Sequence, residues 1–320
     1  MRNIFRRKKD PDTVPDDGIL ILSKPGPVEC GGTDATLDTR APKVIESDQM
    51  TFFYATSALN YGDISSGDEK DRAEQIAYVS AFAAPAGKGC FLFLSTDEYF
   101  RRYGKDDRRW AFVKKDLMPA LVSFVREQDL AKQNGYHSTT HGLPENFGGS
   151  VDIRYASGER ISFSDNQGAI LSVKTARALA RLFREALRGE KVPLPPVSAL
   201  REIRFEENRA NGGFTHAALT ILPDGTGSNR KSSRYDDPRV YESTKPVEKE
   251  TIDAIRKNIE ETGVLAWAEL PANGYSSDHD KHMTFRFDDG TEITVRDDRL
   301  VPDPFRHGFF NIELEMATKH

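Results

Sequence analysis

The chain has 320 residues, 38% of them hydrophobic and 30% charged, with a net charge of −5 from 45 basic and 50 acidic side chains. That apolar content can build a core in each of two halves, and the acidic balance argues against a generic nucleic-acid binder, whose footprint is basic. Two cysteines, Cys30 and Cys90, exclude a disulfide framework and fit a reduced compartment.

Residues 1–43 read as a flexible N-terminal tail rich in Arg, Lys, Asp, Pro and Gly. The first residues carry the charge of a signal n-region, but an acidic, Pro-containing stretch follows where an apolar core would be needed. No segment has the length of a membrane-spanning helix, so the expected location is cytoplasmic, with no membrane partner. Ile19 to Leu22 is suited to an edge strand. Met50 to Ala58, Gln75 to Ala84 and Cys90 to Leu94 are strand-like, and Pro85-Ala86-Gly87-Lys88-Gly89 has turn chemistry.

A basic aromatic segment follows from Tyr99 to Lys115. It includes Arg101, Arg102, Tyr103, Arg108, Arg109 and Trp110, and is the expected contact surface for another protein. Met118, Leu121 and Val125 then repeat at i, i+3 and i+7, the spacing of one helical face, with Pro119 at the start and Gly135 as the stop. His137 and His141 come next, in a Ser/Thr/Gly-rich stretch that reads as a loop. From Val151 to Asn166 the pattern is strand, Gly-containing turn, strand, with Val151, Ile153 and Tyr155 on one face. A helix from Val173 to Leu187 is capped by Ser172. One face has Ala176, Leu179 and Phe183, and the other has Lys174, Arg177, Arg181, Arg184 and Arg188. The Pro-rich segment 192–197 is a stiff linker.

Much of the first half then recurs. Leu222-Pro223-Asp224-Gly225-Thr226-Gly227 answers the Pro-x-Gly-x-Gly turn. Ile252, Ile255 and Ile259 repeat the helical face, with Pro246 near the start and Gly263 as the stop. Leu270-Pro271-Ala272-Asn273 answers Leu143-Pro144-Glu145-Asn146, and Met283 to Asp298 answers the hairpin, with Arg154, Gly158, Ile161 and Asp165 identical to Arg286, Gly290, Ile293 and Asp297. These collinear matches predict an α+β protein of two tandem related domains, 44–191 and 198–320. Each is an antiparallel sheet of about four strands with one packed helix, produced by internal duplication. Phe310 to Met316 alternates as a final strand.

Three functions compete. A non-enzymatic binding protein with a protein partner fits a duplicated structural unit that has no duplicated catalytic constellation. A metal-dependent hydrolase would use His137, His141, His279 and His282, with Asp278 and Asp280 interleaved. Nucleic-acid binding would use the basic helix. No cofactor is called for, and the oligomeric state stays open. Asp288-Asp289-Gly290 is turn chemistry, because it lacks the alternating oxygen ligands of a calcium loop. Cys90 lies in an apolar run and reads as core.

The hairpins Tyr155-Ala156-Ser157-Gly158 and Phe287-Asp288-Asp289-Gly290, following a helix and a Leu-Pro, resemble those of uncharacterised proteins common in gut-type bacteria. The resemblance implies a bacterial source and no known activity, and it assigns no functional residue.

Overall fold

The structure is a computed structural model and describes residues 18–23, 32–59, 78–96, 109–142, 148–234, 239–272, 279–301 and 312. It is an α+β fold. The strands are β1 (Ile19–Ser23), β2 (Thr33–Asp38), β3 (Met50–Ala58), β4 (Tyr78–Ala86), β5 (Gly89–Ser95), β6 (Arg109–Val113), β7 (Tyr136–Thr140), β8 (Gly149–Tyr155), β9 (Arg160–Asp165), β10 (Leu200–Arg209), β11 (Phe214–Ile221), β12 (Gly227–Arg234), β13 (Tyr241–Val247), β14 (His279–Phe287) and β15 (Glu292–Arg296). The helices are α1 (Met118–Glu127), α2 (Val173–Ala186) and α3 (Lys249–Thr262).

The strands form two sheets. One has nine strands in the order β1-β2-β7-β9-β8-β3-β4-β5-β6, and the other has six in the order β13-β12-β11-β10-β14-β15. The β1–β2, β2–β7, β3–β8, β5–β6 and β8–β9 pairings and all those of the smaller sheet are antiparallel, and β7 pairs with β9 in parallel. Reading the larger sheet from β6 and the smaller from β13, six consecutive positions follow one rule: fourth, third, second and first strand of the half, then the two arms of its last hairpin. The helix enters at the same point of each half, and a 3-10 turn follows it, Leu130–Gln133 or Val264–Glu269.

The likeness extends to register. Met50 sits opposite Tyr155, the register then slips, and Phe52 sits opposite Arg154. Leu200 sits opposite Phe287, the same slip follows, and Glu202 sits opposite Arg286. Both hairpin turns close alike. The Tyr155 N–H donates to Glu159 O and that of Gly158 to Tyr155 O, while Phe287 donates to Thr291 O and Gly290 to Phe287 O. Gly158 and Gly290 take φ of 89° and 83°, a left-handed conformation that disfavours a Cβ.

The period-2 pattern places the core as expected. Val151, Ile153 and Tyr155 are buried, as are Met283, Phe285 and Phe287. The i, i+3, i+7 triads of α1 and α3 are also buried. In the six-stranded sheet, α3 covers the inward face. A Cβ placed on Gly227 of β12 would fall 2.8 Å from Ile252 Cδ1 of α3 and 3.4 Å from Leu219 Cδ1 of β11. Ser172 caps α2 as expected, its Oγ accepting from Thr175 N at 3.1 Å.

Several expectations are corrected. Each half supplies six strands to the shared pattern where about four were expected: in the second half β12 and β13 are polar and do not alternate, and in the first β6 lies in the segment read as a contact surface. Ile19 to Leu22 is in the edge strand β1, as expected, but the tail holds a second strand, β2. The His137 segment is strand β7, not a loop. Pro85 lies inside β4 and the turn is Gly87-Lys88, whereas the Pro223 turn spans 222–226. Pro246 lies in β13, and Gly135 follows the 3-10 turn and not α1 itself. Gly263 does end α3, with φ 64°. Of the expected final strand only Ile312 is described, and it is helical and buried.

Compactness divides the chain into residues 1–81, 95–107 and 119–180 as one unit and 82–94, 108–118 and 181–320 as the other. This division does not follow the 192–197 linker. In the first unit, Asn134 ties three segments together: its side-chain amide donates to Pro42 O at 3.0 Å and Arg160 O at 2.8 Å, and its carbonyl accepts from Ser162 N at 2.7 Å. In the second unit, β5 is buried on both faces, from Cys90 through Leu94. Phe91 stacks on Trp110 with ring centroids 5.9 Å apart.

Candidate functional site

The residues singled out from sequence have unequal fates. Tyr99, Arg101, Arg102, Tyr103 and Arg108 lie outside the described residues. Arg109 and Trp110 belong to β6. Trp110 is engaged in packing: its Nε1 donates to Glu260 O at 2.8 Å, and its ring lies against Gly263.

His137 is exposed on β7, with Nδ1 2.9 Å from Ser164 Oγ. Partial burial, and then the charge of Arg160, hold its pKa below the usual imidazole value. His141 Nε2 pairs with Asp34 at 3.1 Å. His279 lies in β14 opposite Arg209, and its side chain is outside the described residues. His282 faces Glu206 at 3.5 Å and Asp280 at 4.0 Å. Among the described residues, no group of three or more His, Cys, Asp or Glu could hold a metal ion. Asp289 Oδ1 accepts from Thr291 N at 2.8 Å, which holds its carboxyl below the usual range and supports the turn reading.

Cys90 is core. Burial pushes its thiol up to about 12, with Asp116 adding to the rise. Thiolate is the reactive form, so in a Cys30→Ser background Cys90 is expected to resist a disulfide reagent at pH 8 until the protein is unfolded. Fast labelling of the native protein would contradict this burial. The folded pKa is raised, so stability from this group is fully present below the unfolded pKa near 9. It is lost at up to about 1.4 kcal/mol per pH unit as pH rises toward 12.

One surface was not foreseen: the outer face of the six-stranded sheet. Its inward face is covered by α3, and the alternation that buries Ile203, Phe205, Leu219, Met283 and Phe285 turns the intervening residues outward. Cross-strand register sets these in rows. Glu202, Arg286 and Glu292 form one row. Arg230, Ala218, Arg204, Thr284 and Thr294 form the next. Ser232, His216, Glu206, His282 and Arg296 form the third.

Two chains of acidic and basic side chains run across β10, β14 and β15. Arg204 pairs with Glu202 at 2.8 Å, Glu202 with Arg286 at 3.2 Å, and Arg286 with Glu292 at 2.5 Å. Hydrogen bonding to Glu202 pushes the Arg204 guanidinium above its ordinary pKa. Glu206, His282, Asp280 and Arg296 make the second chain, closed by Arg296 on Asp280 at 2.8 Å. Such exposed pairs contribute little stability individually, but alternation fixes where the side chains stand.

Strands β11 and β12 differ. Arg230 is exposed and, among the described residues, has no side-chain ion pair or hydrogen bond. Ala218 beside it is small and leaves the guanidinium open on that flank. Exposed His216 and half-buried Phe214 are 4.9 Å apart between ring centroids, with Arg234 5.4 Å over Phe214. Glu202, Arg204 and Glu206 alternate in sequence and were readable, whereas Gly-Ser-Asn-Arg-Lys-Ser-Ser-Arg of β12 shows no pattern that marks Arg230. No protein-family model matches the chain, and no curated protein matches it.

Proposed function

We propose that this chain is an internally duplicated binding protein whose second copy offers the outer face of the six-stranded sheet to a protein partner. The shared strand order, the register slip beside Met50 and Leu200, and the identical turn closures support the duplication. The binding reading rests on one observation: a sheet face whose charges on β10, β14 and β15 are mutually paired, but where Arg230 of β12 and His216 of β11 stand exposed beside them. A guanidinium without an internal partner suits a carboxylate of the partner, with the paired charges of β10, β14 and β15 forming a polar flank on one side. Phe214 adds aromatic surface at the edge.

The test is quantitative co-purification from the native host with wild type, Arg230→Glu, His216→Ala and, as a control on the first unit, Lys132→Glu. A partner retained by wild type and Lys132→Glu but depleted at least tenfold by Arg230→Glu is the expected result. Capture that survives both sheet-face substitutions overturns the assignment.

A further inference from the structure

Helix α2 carries more charge than its packing needs. Its inward side, Ala176, Leu179, Ala180 and Phe183, is fully buried and accounts for its attachment to the protein. The outward side has Lys174 and Arg181, and Arg188 continues the line in the turn after the helix, the three spaced seven residues apart. At 1.5 Å per residue Lys174 and Arg181 stand about 10 Å apart along the helix axis, and Arg188 follows in the turn beyond it. The one acidic residue of the helix is Glu185.

Pairing separates these three cations from most arginines of the sheets, Arg230 excepted. Arg154, Arg160, Arg201, Arg204, Arg209, Arg286 and Arg296 all lie within 3.3 Å of a carboxylate. Among the described residues, Lys174, Arg181 and Arg188 have no side-chain ion pair or hydrogen bond. This happens on a chain of net charge −5, where carboxylates outnumber cations. The first turn of α2 has no acidic residue, and Lys174 lies there, where the helix dipole disfavours a cation. The fold gains nothing from a cation at that position.

We infer that this stripe binds the phosphodiester backbone of a nucleic acid. A row of exposed cations along one side of the helix and its following turn, two of the three guanidinium forks, suits a linear polyanion and phosphate geometry. A membrane surface fits less well. The large apolar residues of α2 are turned inward or half-buried, and none of the exposed large hydrophobic side chains belongs to this helix, so nothing beside the stripe is available to enter a bilayer. The acidic total charge does not oppose this assignment, because the contact is local and screened beyond about 10 Å at 0.1 M salt.

The experiment is fluorescence anisotropy of the full chain with single-stranded and duplex oligonucleotides of random sequence, across a salt series. Three phosphate contacts predict a slope of log K against log salt of about −2 to −3. Arg181→Gln should make the slope shallower by about one, and the triple variant Lys174→Gln/Arg181→Gln/Arg188→Gln should lose binding at least tenfold with an unchanged melting temperature. Arg230→Gln should bind oligonucleotide like wild type, which separates this result from the fate of the sheet-face reading. Absence of binding at 50 mM salt, or binding indifferent to the triple variant, overturns the inference. Capture by vesicles of 30% anionic lipid, or by a poly-glutamate peptide, without oligonucleotide binding also overturns it.

Discussion

Replacing Gly263 by Ala is expected to cost about 3 kcal/mol, one of the two largest effects predicted for this protein. Two causes add. At φ 64° the residue is left-handed, which disfavours any Cβ by about 1–2 kcal/mol. The new methyl would also stand 2.5 Å from Trp110 Cδ2, and overpacking of that kind costs about 1–3 kcal/mol. The indole has little room to retreat, because its Nε1 is held by Glu260 O and its face by Phe91. The two causes separate in a double-mutant cycle by urea denaturation. Trp110→Ala alone should cost about 3 kcal/mol, and in that background Gly263→Ala should cost only the backbone part, about 1–2 kcal/mol. A cost for Gly263→Ala that does not change between the two backgrounds would show that Trp110 is not the obstacle.

The second large effect is Phe285→Ala, expected to lose about 4 kcal/mol, against a change within about 0.5 kcal/mol for Thr284→Ala next to it. Phe285 is fully buried in the centre of β14, between Ile203 and Ile293. Thr284 points outward and shares a 2.9 Å hydroxyl contact with Thr294 at the surface. The chemical difference between neighbours is small beside the difference in facing. Similar losses for both substitutions in urea titrations would mean that the outer face is covered, which would also remove the ground for the sheet-face binding site.

Those two residues show why the hairpins could be read from sequence. Alternation is local, and both arms of each hairpin carry it. The helical triads were readable for the same reason. Strand β7 was not, because Tyr-His-Ser-Thr-Thr has no apolar face. It is a strand because β2 and β9 supply backbone partners on its two sides. Asn166 then closes its end, donating from Nδ2 to Thr140 O and accepting at Oδ1 from Thr140 N. The candidate site divides in the same way. The alternating charges of β10 are visible in one dimension, but the isolation of Arg230 depends on which carboxylates the other strands use up. Trp110 misled for a complementary reason. An aromatic among arginines resembles a contact platform, and only a glycine far along the chain shows that it is packed.

The pairing of β2 with β7 also orders events in time. Thr33 and Thr140, whose hydroxyls meet at 2.9 Å, are 107 positions apart. Contacts that distant are entropically slow to close. At about 5–20 residues per second, a ribosome finishes β7 roughly 5–20 s after it has made β2. Through that interval the nascent chain carries Ile19 to Leu22 without the β2–β7 platform to settle on. The β1–β2 ribbon is therefore made well before the strand on which it docks.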